Sequence, residues 1–347
     1  MKKMTRLAAL AGLLVAGLCS LPQASAAVSK QIEEKIAVAA PEKATVQPAK
    51  PRKVLVYTAA PGFYHGSIPV AAKAVEIMGK KTGAYEATIS DDPTALSAEN
   101  LKQYDAVFLD STTGDMLLGG EYNSLATLGD CLQKTYKHIP PQKLEDLRET
   151  VKKEIADLKQ NEGTLRPGLL DFVKSGKGVA GAHACTDCYY GWKEYGDMIG
   201  GYFTGHPYGN HVAKIDDPKS PLTAAFEGKP FEYSDEMYVF GPKGKDKEGK
   251  ENQPYSRDKA RVLVSIDVEA TKAKDPKWNE KAGGRADADY AISWIKRYGD
   301  GRVFYCSYGH NDATWWNPTI LKHFLDGIQF ALGDLKADMT PVPLKAE

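Results

Sequence analysis

In the first third of the chain, apolar residues at strand-like spacing and at helix-like spacing occur in alternating segments. The β-branched run VLVYT at 54–58 predicts a buried strand, and apolar residues at helical spacing over 69–81 predict a helix. Further strands are predicted at 85–90 and 105–110, with a short helical stretch at 97–103 between them. Because strands and helices alternate, we expect an α/β fold with a mostly parallel sheet and helices on both faces.

A polar segment at 119–163 interrupts this alternation. Its apolar residues recur three or four positions apart, at Leu144, Leu147, Val151, Ile155 and Leu158. This stripe predicts a helical hairpin inserted into the α/β unit. A helix at 167–175 and the strand GVAGAH at 178–183 then resume the earlier pattern.

The pattern after Gly201 is dominated by strands. Strands are predicted at 211–215, 260–266, 289–298 and 302–308. The sequence Tyr298-Gly299-Asp300-Gly301 predicts a tight turn, which makes the last two strands a C-terminal β-hairpin. A charged surface loop is expected at 241–256, and a final helix is expected over 318–332.

The two ends of the chain differ in composition from the rest. Residues 1–26 combine a basic start, an apolar stretch that is short for a bilayer, and a small-residue site, which together predict a cleaved signal peptide. We therefore expect an exported protein, periplasmic or extracellular, without stable membrane insertion. The Ala-, Pro- and Lys-rich segment 27–52 predicts a flexible linker. These boundaries leave one domain at 53–333 and a tail at 334–347.

The overall composition is that of an ordinary globular protein. The 347 residues are 42% hydrophobic and 26% charged, and their formal net charge is zero. Because basic and acidic residues are mixed, no nucleic-acid partner is expected, and nothing specifies an oligomeric state. The CxxC at Cys185 and Cys188 is interpreted as a local disulfide or as two free thiols. No second CxxC supports a four-thiolate zinc site.

Polar residues follow several of the predicted strands. Open α/β sheets bind ligands at the carboxyl ends of their strands, and His65, His183 and His310 each follow such an end. Asp187 lies four residues beyond His183, and His206 belongs to the glycine-rich stretch GGYFTGHP. We expect these imidazoles, although far apart in the chain, to gather at one rim of the sheet.

Some of these residue types also have ordinary structural roles. Asp187 is placed to cap the helical turn that follows it, and the pair Asp235-Glu236 could be solvated surface. Trp316 could pack against the start of the last helix. His323 lies within that helix and is expected to be structural.

Five stretches resemble the trehalose-utilisation (ThuA-like) family. They are FYHGS, GVAGAHACTD, GGYFTGHP, DEMYVF and GDGRVFYCSYGH followed by WWNP, and they occur in the family's order over 53–333. The resemblance implies a flavodoxin-like fold similar to class I glutamine amidotransferases. Amidotransferase activity is not expected, because His183 lies near the position of the nucleophile elbow and Cys185 is not flanked by Gly-x-Cys-x-Gly.

The resemblance also implies a role in carbohydrate utilisation. Histidines near their ordinary pKa of about 6.5 can transfer protons on a sugar or keto-sugar. Aromatic rings can stack on the sugar, and polar groups can bind its hydroxyls. The expected catalytic residues are His65, His183, His206, His310 and Asp187. The expected substrate-binding residues are Tyr64, Tyr190, Trp192, Glu236, Asn311 and Trp315.

Two other functions are compatible with the same residues. One is a non-catalytic sugar-binding module that keeps the pocket. The other is a metal-dependent hydrolase, because His, Asp and Glu are common ligands of transition metals. No cofactor is predicted, and no metal ligand is assigned, since the sequence has no HxH or HExxH pair. A divalent metal therefore enters only as an alternative.

Overall fold

A nine-stranded mixed sheet forms the centre of the computed structural model, which describes residues 27–344 apart from 134–139, 246–247, 277, 279–284 and 286. In chain order, the strands of this sheet and of two small two-stranded sheets are β1 (Lys53–Tyr57), β2 (Glu86–Ser90), β3 (Ala106–Asp110), β4 (Thr113–Gly114), β5 (Gly178–Ala182), β6 (Asp187–Cys188), β7 (Phe203–Gly205), β8 (Tyr208–Ile215), β9 (Phe231–Glu236), β10 (Val239–Phe240), β11 (Arg261–Ile266), β12 (Ala291–Tyr298) and β13 (Gly301–Cys306). The large sheet has the order β2-β1-β3-β5-β13-β12-β11-β8-β9. Its first five strands are parallel neighbours, and the pairings from β13 to β9 are antiparallel.

Helices cover both faces of this sheet. They are α1 (Lys30–Ala39), α2 (Ile68–Thr82), α3 (Ala98–Leu101), α4 (Gly120–Leu132), α5 (Pro141–Lys174), α6 (Lys193–Ile199), α7 (Val268–Lys274) and α8 (Pro318–Leu332). Alternate residues of β1 point to opposite cores, with Val54 and Val56 on one side and Leu55 and Tyr57 on the other. The first core includes residues of α2 and α8, and the second includes residues of α5 and α6. This arrangement confirms the predicted α/β class.

The β8–β9 pair is only partly joined to the rest of the sheet. Strand β8 pairs with β9 along Tyr208–Ala213, but it pairs with β11 only through Ala213, Lys214 and Ile215. The other end of this two-stranded ribbon is therefore free of β11. Glu236, the last residue of β9, lies at that free end opposite Tyr208.

The segment 27–52, expected to be a flexible linker, is packed against the domain. Helix α1 begins after Ser29, whose hydroxyl accepts a hydrogen bond from the Ile32 amide, and Ile36 is fully buried in the core. The Lys81 ammonium donates hydrogen bonds to the carbonyls of Ala37 and Ala40 near its end. The apolar stripe on this helix is only about two turns long. The Ala-, Pro- and Lys-rich composition of the segment therefore indicated a linker although a helix is present.

The predicted helical insertion is present, but its second helix is longer than expected. Helices α4 and α5 share a small apolar core of Leu128, Leu132, Leu144 and Val151. Instead of ending before a separate helix at 167–175, α5 continues through Pro167 to Lys174. An internal proline removes one backbone hydrogen bond, and here the buried C-terminal turns of α5 pack on the sheet and hold the helix together.

The ends of the chain are described only in part. Residues 1–26, which include the predicted signal peptide, lie outside the described residues. The expected C-terminal tail is docked at its start, where Leu335 is buried and the Asp334 carboxylate accepts hydrogen bonds from Arg52. In the described part of the chain, no helix is both long and apolar enough to cross a membrane.

Candidate active site

Loops at the carboxyl ends of the parallel strands bring three histidines together. His65 follows β1, His183 follows β5 and His310 follows β13. Their ring centroids are 4.7 Å apart for His65 and His183, 5.5 Å for His65 and His310, and 5.6 Å for His183 and His310. The expected gathering of distant imidazoles is therefore present in the structure.

The Glu236 carboxylate lies at the centre of these imidazoles. Its Oε2 is 3.3 Å from Nε2 of His183, and its Oε1 is 3.1 Å from Nδ1 of His310 and 3.3 Å from Nε2 of His206. We call His65, His183, His206, Glu236 and His310 the His–Glu cluster. The free end of the β8–β9 ribbon delivers Glu236, so the antiparallel half of the sheet supplies the carboxylate and the parallel half supplies three of the imidazoles.

His183 occupies a strained and fully buried position. Its φ is +48°, in the left-handed region, which costs a residue with a side chain about 1–3 kcal/mol. Gly309, with φ +149°, passes so close that a Cβ there would lie 2.9 Å from the Cβ of His183. Because its side chain has no exposed surface, His183 contacts Glu236 rather than solvent. The structure therefore places this expected central base beneath the site.

Hydrogen bonds define which nitrogen of His183 faces the cluster. Nδ1 lies 2.7 Å from the Ser307 carbonyl, which can only accept, so Nδ1 carries a proton. When the ring carries only this proton, Nε2 accepts from the Tyr238 hydroxyl at 3.1 Å. The same nitrogen faces a Glu236 oxygen at 3.3 Å. With Nε2 unprotonated, two lone pairs would meet here. A proton on Nε2, which makes the contact a hydrogen bond to Glu236, or a cation between the two atoms would relieve their repulsion.

Burial and charge act differently on the other members of the cluster. Burial lowers the pKa of His65 to about 3, and its Nδ1 has no hydrogen-bond partner among the described residues. Hydrogen bonding to Glu236 raises the pKa of His310. Burial alone would raise the pKa of Glu236, but hydrogen bonds from His183 and His310 outweigh it, and the net pKa lies well below the ordinary value. Glu236 is therefore a carboxylate at neutral pH.

Four members of the cluster have the geometry of a metal site. One donor atom from each of His65, His183, Glu236 and His310 lies within 4.8 Å of all the others. The proton on Nδ1 of His183 is donated to a backbone carbonyl, the arrangement that orients a metal-bound imidazole. The unpartnered His65 nitrogen and the facing lone pairs also fit a cation. Three imidazoles and one carboxylate suit zinc or a similar transition metal.

A buried carboxylate holds this part of the site in place. Asp235 accepts hydrogen bonds from the Gly309 amide at 3.1 Å, the Thr314 hydroxyl at 3.1 Å and the Glu236 amide at 2.8 Å. These bonds connect the end of β9 to the loop that carries His310. Asp235-Glu236 is therefore not solvated surface, because both side chains are buried and each has a defined partner.

Exposed aromatic residues border the cluster. Tyr64 and Phe63 are 48% and 65% exposed, and the Phe63 ring packs edge-on against His65 at 4.8 Å. Tyr208 is 53% exposed, and its ring centroid lies 6.0 Å from that of His310. The Tyr208 hydroxyl donates to the Asn311 side chain at 3.3 Å, which places the expected Asn311 on this rim. Such rings are available to stack on a ligand.

Both tryptophans expected to bind substrate are buried instead. Trp315 is fully buried, stacks on Phe324 and donates its indole N–H to the Gly309 carbonyl at 3.3 Å. Trp192 packs against Tyr189 and lies under the Arg166 guanidinium at 4.9 Å. Both residues are therefore part of the hydrophobic cores. Large apolar side chains near a site cannot be separated into core and surface by sequence position alone.

Asp187 and Tyr190 belong to a polar group beside the cluster. The Tyr190 hydroxyl donates to Asp187, and the Lys243 ammonium lies 2.9 Å from that hydroxyl and 4.0 Å from the ring centroid of Tyr190. Lys243 thus covers the Tyr190 ring, which is not free to stack on a sugar. Asp187 does not cap the helix that follows it either, because α6 begins after Trp192. Burial raises the pKa of Asp187 and lowers that of Lys243.

Besides Tyr208 on the rim, three further residues of the site were missed from the sequence. Tyr238 contacts His183, the Phe203 ring lies 4.4 Å from that of Tyr238, and Lys243 contacts Tyr190. Tyr238 and Phe203 lie inside the quoted stretches DEMYVF and GGYFTGHP, so a signal was present. Lys243 had none, because it lies in a charged loop that resembles solvated surface.

Of the two alternatives expected for Cys185 and Cys188, a local disulfide or two free, half-buried thiols, the structure shows free thiols, but they are fully buried. Cys306 is also free and fully buried. Burial raises the pKa of the Cys185 thiol. An inaccessible, protonated thiol is a poor nucleophile. Cys131 belongs to α4, but its side chain lies outside what the structure describes.

Comparison with known proteins supports the resemblance. The model of the family ThuA, described as trehalose utilisation, matches residues 53–126 and 154–331. No curated protein matches the sequence. A ThuA-like protein from Bacteroides uniformis is 15% identical, with a TM-score of 0.50 over 89% of this chain and 95% of that one. A ThuA-like protein from Parabacteroides merdae is 14% identical, with a TM-score of 0.49 over 83% and 93% of the two chains.

The matched family segments contain every residue of the His–Glu cluster, and the unmatched stretch between them corresponds to part of the helical insertion. The first structural comparison independently supports the same fold. The match covers well over half of the sequence, and the family description connects the chain to carbohydrate metabolism in general terms. The chain belongs to the ThuA (trehalose utilisation) family.

Proposed function

We propose that this protein is a carbohydrate-active enzyme that transfers protons on a sugar or keto-sugar at the His–Glu cluster. The observation that carries the proposal is the Glu236 carboxylate, which three imidazoles contact at 3.1–3.3 Å. Exposed aromatic rings border the same cluster and could stack on a sugar. The family membership supports a carbohydrate substrate.

The accessible members of the cluster are suited to contact substrate. The side chains of His206 and His310 are 34% and 32% exposed, whereas that of His183 is fully buried. His310 would donate a proton, because its contact with Glu236 favours the protonated ring. His206 would accept one at Nδ1, because its Nε2 faces the Glu236 carboxylate at 3.3 Å. His183 would act through Glu236 by holding its orientation, and Tyr238 would hold His183.

Deuterium exchange tests this proposal even when the product of the reaction is not identified. Glucose and the keto-derivatives of glucose and trehalose are incubated with the protein in D₂O, and ¹H NMR follows loss of C–H signals beside the carbonyl. Glu236→Gln should abolish exchange, because it removes the charge that favours protonated imidazole. Glu232→Gln, an exposed carboxylate on the same strand, is the matched control. Sugar binding without exchange or product would instead identify a non-catalytic binding module.

The second candidate is a metal-dependent enzyme, which the convergence of four donor atoms favours. His65, His183, Glu236 and His310 would hold the ion, and a bound divalent metal would supply Lewis-acid activation of a carbonyl or water. Elemental analysis of purified protein should then find about one equivalent of metal. Glu236→Gln should lower this content, and Glu232→Gln should not. Metal-free protein with full exchange activity would refute this candidate.

Export remains part of the proposal. The first 26 residues have the sequence properties of a signal peptide. Mass spectrometry of the protein recovered from cell fractions would test this. A mature chain that begins near Ala27 and lies outside the cytoplasm is expected, whereas an intact cytoplasmic chain would contradict export.

A further inference from the structure

Asp187, Tyr190 and Lys243 form a polar wall beside the His–Glu cluster. All three side chains are half-buried. The Lys243 ammonium donates to the Tyr190 hydroxyl at 2.9 Å and to the Phe203 carbonyl at 3.1 Å, and Tyr190 donates its single proton to Asp187. A cation, a phenol and a carboxylate are thus arranged in one chain of hydrogen bonds.

A loop clamp holds this wall in a fixed geometry. The Lys243 amide donates to the Asn252 carbonyl at 3.0 Å, and the buried Asn252 side chain donates to the Tyr190 carbonyl at 2.8 Å. Gly244 has φ +69°, and a Cβ at this position would lie 2.0 Å from the backbone carbonyl oxygen of Tyr190. The loop expected to be solvated surface therefore fits closely against Tyr190 and directs Lys243 toward Asp187.

The wall leaves one acceptor and one donor available. One oxygen of Asp187 accepts from Tyr190, and the part of the chain described here provides no hydrogen bond to the other oxygen. Lys243 has three ammonium protons, of which two meet the Tyr190 and Phe203 oxygens. A sugar hydroxyl both donates and accepts. Two neighbouring hydroxyls could therefore meet the free carboxylate oxygen and the remaining ammonium proton.

We propose that Asp187 and Lys243 form a sugar subsite that binds two neighbouring hydroxyls of one ring, with Tyr190 as a positioning residue. The inference rests on the proposed carbohydrate function, and it assigns Asp187 to binding rather than to proton transfer. One hydroxyl donates to Asp187, and the other accepts from Lys243. Charged partners make such hydrogen bonds stronger than neutral ones.

The position of Phe203 connects this subsite to the proposed reaction centre. Its carbonyl contacts Lys243, while its ring lies 4.4 Å from Tyr238 and 5.7 Å from His206. A sugar ring that is bound by Asp187 and Lys243 would lie along Phe203 and present its far side to His206 and Glu236. The subsite therefore fixes the part of the sugar that meets the cluster.

Calorimetric titration of the purified mature protein with trehalose and with methyl α-glucoside tests the subsite. Lys243→Met and Asp187→Asn should each weaken binding at least tenfold, because each removes a charged hydrogen bond. Lys245→Met removes an exposed charge from the same loop and should bind like wild type. Thermal melting of each variant confirms that it is folded, and Lys243→Arg provides a charge-conserving replacement that should retain most of the affinity.

The role of Tyr190 has its own readout. If Tyr190 only positions its two neighbours, Tyr190→Phe should weaken sugar binding, and the double variant with Lys243→Met should lose little more than Lys243→Met alone. A merely structural role would instead give additive losses together with a lower melting temperature.

The outcomes separate this inference from the proposed function. Sugar affinities of the Lys243 and Asp187 variants within twofold of wild type would overturn the subsite, while exchange activity would still support the enzyme. If wild-type protein binds neither sugar and exchanges no protons, both proposals fail. Weak binding by these two variants and normal binding by Lys245→Met would support the subsite.

Discussion

His323 allows a quantitative prediction of how acid destabilises this fold. The side chain is buried in α8 between the rings of Phe226 and Phe304, each 5.2 Å away. Its Nδ1 donates to the Leu222 carbonyl at 2.7 Å, and its Nε2 accepts from the Ser293 hydroxyl at 3.0 Å. Both nitrogens of the neutral ring are therefore satisfied. The expected structural role of His323 agrees with these contacts.

Burial lowers the pKa of His323 to about 4 in the folded protein. An unfolded chain has a histidine pKa of about 6.5, so the full difference corresponds to about 3.4 kcal/mol. Between these two values the unfolded state binds the proton and the folded state does not. The contribution of His323 to the free energy of unfolding is therefore fully present well above pH 6.5, and it is lost as the pH falls toward 4. Between pH 7.5 and pH 5 the loss from this residue is about 2 kcal/mol.

Urea unfolding followed by circular dichroism at several pH values between 7.5 and 4.5 measures this loss. His323→Gln removes the titrating group, so its free energy of unfolding should fall by about 2 kcal/mol less than that of wild type over pH 7.5 to 5. Ser293→Ala keeps the buried imidazole and is the matched control, with a pH dependence close to wild type. Parallel curves for wild type and His323→Gln would refute the reasoning.

Two further substitutions test the supports of the site and of the fold. Asp235→Asn should lower the free energy of unfolding by about 2–3 kcal/mol, because an amide NH₂ would replace an oxygen that accepts buried hydrogen bonds. Urea unfolding measures this loss, and an unchanged free energy would show that those bonds are absent. Ile36→Ala should cost about 2–4 kcal/mol if α1 is packed in the core, as in the structure. An unchanged melting temperature for Ile36→Ala would instead restore the linker interpretation.

The sequence was informative where a local pattern determines a local structure. Strands β1, β3 and β5 were predictable because their apolar runs are short and bounded by turns, and α8 was found with its observed ends. The rule that ligands meet the carboxyl ends of parallel strands selected His65, His183 and His310. These residues converge because neighbouring parallel strands end at the same edge of the sheet.

Other features depend on contacts that no local pattern encodes. Glu236 was expected to bind hydroxyls, but the imidazoles that surround it come from four other segments of the chain. Trp315 was expected at the surface because it follows a site loop, yet α8 covers it. Lys243 was missed because a charged loop gives no sign of what it packs against. In each case the decisive neighbour is distant in sequence.

Because the free end of the β8–β9 ribbon carries Glu236, substitutions far from the site can alter its geometry. Strands in a sheet are spaced about 4.8 Å apart, so five spacings from β5 to β9 in a flat sheet would separate His183 from Glu236 by about 24 Å. Their side chains are 3.3 Å apart, so the sheet cannot be flat between β5 and the end of β9. The irregular pairing of β11 with β12, between Val262 and Ser265, lies between these two strands, and such bulges bend and twist a sheet. A substitution that straightened this bulge would pull the carboxylate away from its imidazoles while leaving every residue of the cluster intact.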